Sequence, residues 1–160
     1  MHEVNKPALV AVWDVPLHVQ HNLKARATQI MPAEFLAVPL TLLAVPDVLR
    51  GKDIIFFIDN QSAMAALIRA CSSVSDCSLL ALLTSVLTLS LRVRPWFEYV
   101  NTKQNPADVL SRQGYADSTV RSKIDAGAWQ PVHHRPDWEL ALGSLDDILQ
   151  FIVALGVSDS

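Results

Sequence analysis

The chain has 160 residues, 51% of them apolar, with five glycines, two cysteines and a net charge of −3. That size suits one ordinary domain with its own core, and the apolar share excludes a disordered chain. So few glycines argue against a Gly-rich nucleotide loop, no GxSxG occurs, and no apolar run reaches the ~18 residues of a membrane span.

The first residues, MHEVNKPALV, lack the apolar core and cleavage site of a secretory leader, so an intracellular setting, cytoplasmic or nuclear, is expected. Ala8 to Trp13 (ALVAVW) reads as a short strand. Residues 14–31 carry no clear period and read as a loop or a short irregular helix. PAEFLAVPLTLLAV follows, a strongly apolar helix opened by Pro32, with Pro39 expected to kink or interrupt it. LRGK is a turn, and DIIFFI (53–58) is a strand apolar on both faces, as expected of a central strand covered on each side. QSAMAALIRA (61–70) reads as a helix. After the serine-rich turn, Ser75 or Asp76 caps a long helix to about Leu91. PWFEYV (95–100) is a further strand, with Trp96 expected in the core, and a short helix runs from Pro106 to about Arg112. The rest reads as loop, ending in a helix over 145–155 with Ser144 as its cap. This alternation of strand and helix implies an α/β layered domain.

Charge is unevenly distributed. Residues 1–123 hold twelve Lys and Arg against ten Asp and Glu, whereas residues 124–160 hold one Arg against six acids. The acidic tail either improves solubility or offsets a more basic front surface. Cys71 and Cys77, in a chain without a secretory signal, are expected to be reduced. His18 with His21, and His133 and His134 with Asp137 and Glu139, follow no zinc spacing and read as surface groups.

Three acids stand out by position. Glu34 falls in the first turn of the apolar helix, Asp59 at the carboxyl end of DIIFFI, and Asp108 in the first turn of the last short helix. Each has a plain structural role open to it. Acids in a first helical turn are favoured by the helix dipole, and an Asp after a strand is a common helix cap. The carboxyl ends of strands are also where α/β sheets place their ligands. Asn60 and Ser62, beside Asp59, suit either capping or contact with a phosphate or ribose hydroxyl. Lys103, Gln104, Asn105 and Arg112 stand near Asp108, within reach of a nucleic-acid backbone or simply in solvent.

Three blocks, TQIMPAEFLAV, LRGKDIIFFIDNQSAMAALI and WFEYVNTKQNPADVLSR, resemble in order and spacing the ribonuclease H domain of retroelement (retrotransposon-type) reverse transcriptase polyproteins. The resemblance spans roughly residues 8–112 and is most distinctive in NPADVLSR. It implies a ribonuclease H-like mixed sheet flanked by helices over 1–112, incomplete at its N-terminal edge by one or two strands, and an acidic extension over 113–160. By the same resemblance Glu34, Asp59 and Asp108 match three of the family's four metal-binding acids. Asn60, Ser62, Asn105 and Arg112 are then the candidate substrate contacts. Two Mg²⁺ (or Mn²⁺) ions are the implied cofactors, an RNA–DNA hybrid the implied substrate, and an upstream polymerase segment the implied companion.

The chain also departs from the family. Only ALVAVW precedes the Glu34 helix as a strand, so the first family acid is absent unless Asp14, the nearest upstream carboxylate, substitutes for it. The family's mobile catalytic histidine has no counterpart between Val100 and Asp108. A second reading is therefore a non-catalytic remnant serving as a structural or protein-binding module. On either reading the missing strand leaves an unpaired sheet edge, and self-association follows as an expectation.

Overall fold

The computed structural model describes residues 6–23 and 30–134. In chain order its elements are β1 (Ala8–Val10), α1 (Leu17–Asn22), α2 (Ile30–Ala44), α3 (Pro46–Leu49), β2 (Asp53–Ile58) and α4 (Gln61–Arg69). They continue with α5 (Ser75–Ser90), β3 (Arg94–Tyr99), α6 (Ala107–Gln113), α7 (Ser118–Asp125) and β4 (Trp129–Pro131). The protein is thus mixed α/β, and among the described residues two two-stranded parallel sheets form: β1 with β4, and β2 with β3. The chain divides into two compact units, Met1–Asp14 with Asn101–Arg135, and Val15–Val100 with Pro136–Ser160. The helix expected over 145–155, Asp137 and Glu139, and the side chain of His18 lie outside the described residues.

In the larger unit, α4 and α5 carry the chain from β2 to the parallel β3, and α2 packs against both helices. α2 is apolar nearly all round, burying Phe35, Leu36, Val38, Leu40, Leu42 and Leu43. Pro39 lies inside it without ending it: only the bond that its missing N–H would make to the Phe35 carbonyl is lost. α5 buries Leu80, Leu83 and Leu87 together with Thr84 and Thr88. Those hydroxyls donate back to the carbonyls of Leu80 and Ser85, both at 2.8 Å, so neither is buried without a partner. No helix among the described residues is long and apolar enough to cross a membrane. Cys71 is exposed, Cys77 is buried in α5, and no disulfide joins them.

The β2–β3 pair corrects the expectation of a strand covered on each side. Ile54, Phe56 and Ile58 face inward, where the Phe56 ring stacks on Phe97 at 5.6 Å, and α4 packs against both strands. The opposite face is open: Ile55 is 58% exposed, Phe57 61% and Trp96 65%. Trp96 is therefore no core residue. It lies in register with Ile55 on the open side, its indole N–H donating to Glu98 at 3.2 Å. On the same face Arg94 forks onto both carboxylate oxygens of Asp53, its register partner.

The smaller unit gives the N-terminal strand a partner from far along the chain. β1 pairs with β4 in the register Ala8–Trp129, Leu9–Gln130, Val10–Pro131. Val10, Leu110 and Val120 form its core, with Val12, Tyr115, Ile124 and Trp129 packed around them. The Tyr115 hydroxyl donates to the Val10 carbonyl at 3.2 Å. Residues 118–131, expected as loop, form α7 and β4. Asp117 caps α7 by accepting from Thr119 N at 2.8 Å and Val120 N at 3.1 Å.

Candidate functional site

α2 begins at Ile30, two residues ahead of Pro32, so Glu34 stands beyond the first turn instead of within it. The dipole effect fades after that first turn and no longer accounts for a carboxylate there. The side chain reaches instead to the carboxyl end of β2. Its Oε2 accepts a hydrogen bond from Asn60 Nδ2 at 2.7 Å, a link across 26 residues of sequence.

Asn60 acts with both ends of its amide. Its Oδ1 accepts from Ala63 N at 3.0 Å and so caps α4, while its Nδ2 holds Glu34. Extended backbone angles at Asn60, φ −113° and ψ 108°, are those of a helix cap. Two of the open questions close here. Asp59 is not the cap of α4, because Asn60 is; and Ser62, second in the helix and exposed, is not a cap either.

Glu34 and Asp59 share one electrostatic environment. Burial pushes the Glu34 carboxyl above its ordinary value of 4.5, the Asn60 hydrogen bond pulls it down, and the charge of Asp59 pushes it up again. Both carboxylates are half-buried. The arrangement thus gathers two hard oxygen donors that repel one another, one of them held in orientation by a neutral amide. This donor chemistry suits a hard divalent cation such as Mg²⁺, which takes carboxylate oxygens and keeps several waters.

Asp108, the third expected ligand, belongs to the smaller unit. It lies in the first turn of α6, where both its oxygens accept from Arg112 Nε at 3.1 and 3.2 Å, one turn further on. Asn105 accepts from Ala107 N at 3.0 Å and turns the chain into α6. Arg112 and Asn105, expected to contact substrate, therefore have local partners in the structure. Asp14 is exposed in the same unit, and His133 and His134 are exposed after β4. Within either unit, among the described residues, no three His, Cys, Asp or Glu side chains gather as a metal-binding group. The dual bond of Asn60 has one signal in the sequence, an Asn standing between the strand-end acid and the first helical residue.

Comparison with family models, with curated proteins and with solved structures finds no match for this chain.

Proposed function

We propose that the protein is a ribonuclease H-like domain of a retroelement polymerase, hydrolysing the RNA strand of an RNA–DNA hybrid with divalent metal. The supporting observation is the Glu34–Asn60 bond beside Asp59. It brings an acid of α2 to the end of β2, where the resemblance assigns two metal ligands. Glu34 and Asp59 of the larger unit would hold Mg²⁺ or Mn²⁺. When bound, such ions supply charge stabilisation at the phosphate and lower the pKa of attacking water.

The chain's own residues perform the remaining tasks. Asn60 fixes one Glu34 oxygen and leaves the other to bind. The raised proton affinity of Glu34 means that its carboxylate is fully available only above its shifted value. In the hydrolysis, the water oxygen bonds to phosphorus, the phosphorus–oxygen bond to the leaving ribose breaks, and that oxygen gains a proton. Recognition of the hybrid would rest on helix shape, phosphates and 2′-hydroxyls.

One observation favours the non-catalytic reading, namely Arg112 on both oxygens of Asp108. An ion pair with its Arg side chain 69% exposed contributes little and is readily exchanged, so this does not outweigh the Glu34–Asp59 pairing. The test is cleavage of a labelled RNA–DNA hybrid with Mg²⁺ or Mn²⁺ by the wild-type chain, by Asp59→Asn and by Glu34→Gln. Cleavage is expected, with each substitution lowering it at least about 100-fold. A folded wild-type chain that cleaves nothing, or one that Asp59→Asn leaves unchanged, refutes the proposal.

A further inference from the structure

The two outer edges of the β2–β3 pair are not alike. Arg94 N donates to Lys52 O at 2.9 Å and Val100 N to Ile58 O at 3.1 Å, bracketing the ladder. Backbone groups alternate in direction along a strand, so the even-numbered residues of both strands point at one another and the odd-numbered ones point outward. On β3 the outward row starts with Pro95, which has no N–H to offer and protects that edge. On β2 the outward row is Asp53, Ile55 and Phe57, with no proline. Among the described residues none of their N–H or C=O groups has a hydrogen-bond partner. Ile55 and Phe57 also expose most of their side chains. Among the described residues, DIIFFI thus presents an unprotected edge of high β propensity.

The two ends of the pair differ in charge. At the amino ends, two turns joined by the Gly51 N to Leu91 O bond of 2.8 Å carry Arg50, Lys52, Arg92 and Arg94. Among the described residues Arg94 alone of these is ion-paired, to Asp53, and Asp47 stands in the first turn of α3. At the carboxyl end stand Glu34 and Asp59.

We infer that a second copy of this chain docks on the outer edge of β2, pairing β2 antiparallel with its counterpart about a two-fold axis at Ile55. Antiparallel pairing is what a two-fold axis demands, and it sets the basic end of each copy beside the acidic end of the other. Pairing with strands parallel would set like charge beside like. The register is also constrained. An axis at Phe56 would place Asp53 opposite Asp59, whereas an axis at Ile55 keeps these acids apart. Because Ile55 lies opposite Trp96 within each copy, the combined sheet carries one continuous row: Trp96, Ile55, Ile55 and Trp96. The partner's basic turn then comes to the end where Glu34 and Asp59 repel, so the dimer relieves part of that repulsion. This inference stands apart from the reaction proposed above.

The experiment is analytical ultracentrifugation of the full chain across dilution, paired with amide hydrogen exchange at each concentration. A dimer that dissociates on dilution and weakens in high salt is expected. The amides of Ile55 and Phe57 gain protection only in the dimer, while those of Ile54, Phe56 and Ile58 are protected throughout. Ile55→Lys sets like charges face to face at the axis and weakens the dimer at least about tenfold. Ile68→Lys, on the exposed side of α4, leaves it intact. A monomer at every concentration overturns the inference, as does a dimer that survives Ile55→Lys or leaves the Ile55 and Phe57 amides exchanging at the monomer rate. Should Ile55→Lys fail to fold, the alternation of protection in the wild-type chain decides by itself.

Discussion

Replacing Asn60 separates its two roles, because different side chains preserve different ends of the amide. Asn60→Ala removes both. Loss of an N-cap costs about 1 kcal/mol, typically. Loss of a hydrogen bond to a charged group costs about 1.5–3 kcal/mol, and the lower end applies here because the site is half-buried. Together these predict a loss of roughly 2–3 kcal/mol, or a fall in Tm of about 5–10 °C for a chain of this size. Asn60→Ser keeps an oxygen to cap Ala63 N but is too short to reach Glu34, so it shows the second part alone. Asn60→Asp keeps the cap and turns the Glu34 contact from attraction to repulsion. Its cost therefore exceeds that of Asn60→Ser at neutral pH, shrinks as acid protonates Glu34, and falls again when Mg²⁺ is added. Urea titration at neutral and mildly acid pH, with and without Mg²⁺, reads all of these. If Asn60→Ser is as stable as wild type, or Asn60→Asp no worse than Asn60→Ser, the link to Glu34 does no orienting and the site argument fails.

Other outcomes follow from the same structure. Glu34 has a folded-state pKa raised above 4.5, so the stability it contributes is complete below 4.5 and is lost as pH rises through the raised value. Glu34→Gln, which still accepts from Asn60, is expected to be more stable than wild type at neutral pH and to lose stabilisation by Mg²⁺, both measured by urea titration. Asp53 shifts the other way, held below its ordinary value of 3.8 by the Arg94 bond. Its contribution is present above 3.8 and disappears as pH falls through the lowered value, but the pair is fully exposed, so Asp53→Asn should shift Tm little and not at all in high salt. Phe35→Ala, emptying a fully buried position of α2, should cost about 3–5 kcal/mol by denaturation.

The elements that were legible in the sequence are those whose signals are local. α4 follows a capping Asn, and the end of α5 and start of β3 follow the change of pattern at Leu91 to Arg94. α7 was not legible because STVRSKID offers only Val120 and Ile124 to a core, too few to set a helical period. β4 was not legible because three residues gain strand character only from pairing with β1. DIIFFI shows a different limit. Its apolar run is real, but whether a face is covered depends on neighbours that the strand does not encode, and here, among the described residues, one face and one edge remain open. The exposure of Trp96 has the same cause. Of the candidate site, the types and order of acids were legible, while the start of α2 was not: Pro32 is tolerated anywhere in the first turn, so Ile30 and Met31 could precede it.

That shift of two residues changes what Glu34 and Asp59 mean. In the first turn Glu34 would need no function, and as a cap neither would Asp59. With Asn60 as the cap and Glu34 beyond the dipole's reach, both local explanations are removed together. What remains is a half-buried Glu34 carboxylate whose charged form burial and the nearby Asp59 disfavour, with one amide bond as partial relief. A chain selected for stability alone would do better with uncharged groups at both positions. Two like charges kept at the carboxyl end of a strand call for a positive partner, which a bound cation or a basic side chain would supply. Stabilisation by Mg²⁺ or Mn²⁺ that vanishes in Asp59→Asn would establish that cation directly, whether or not the hybrid is cleaved.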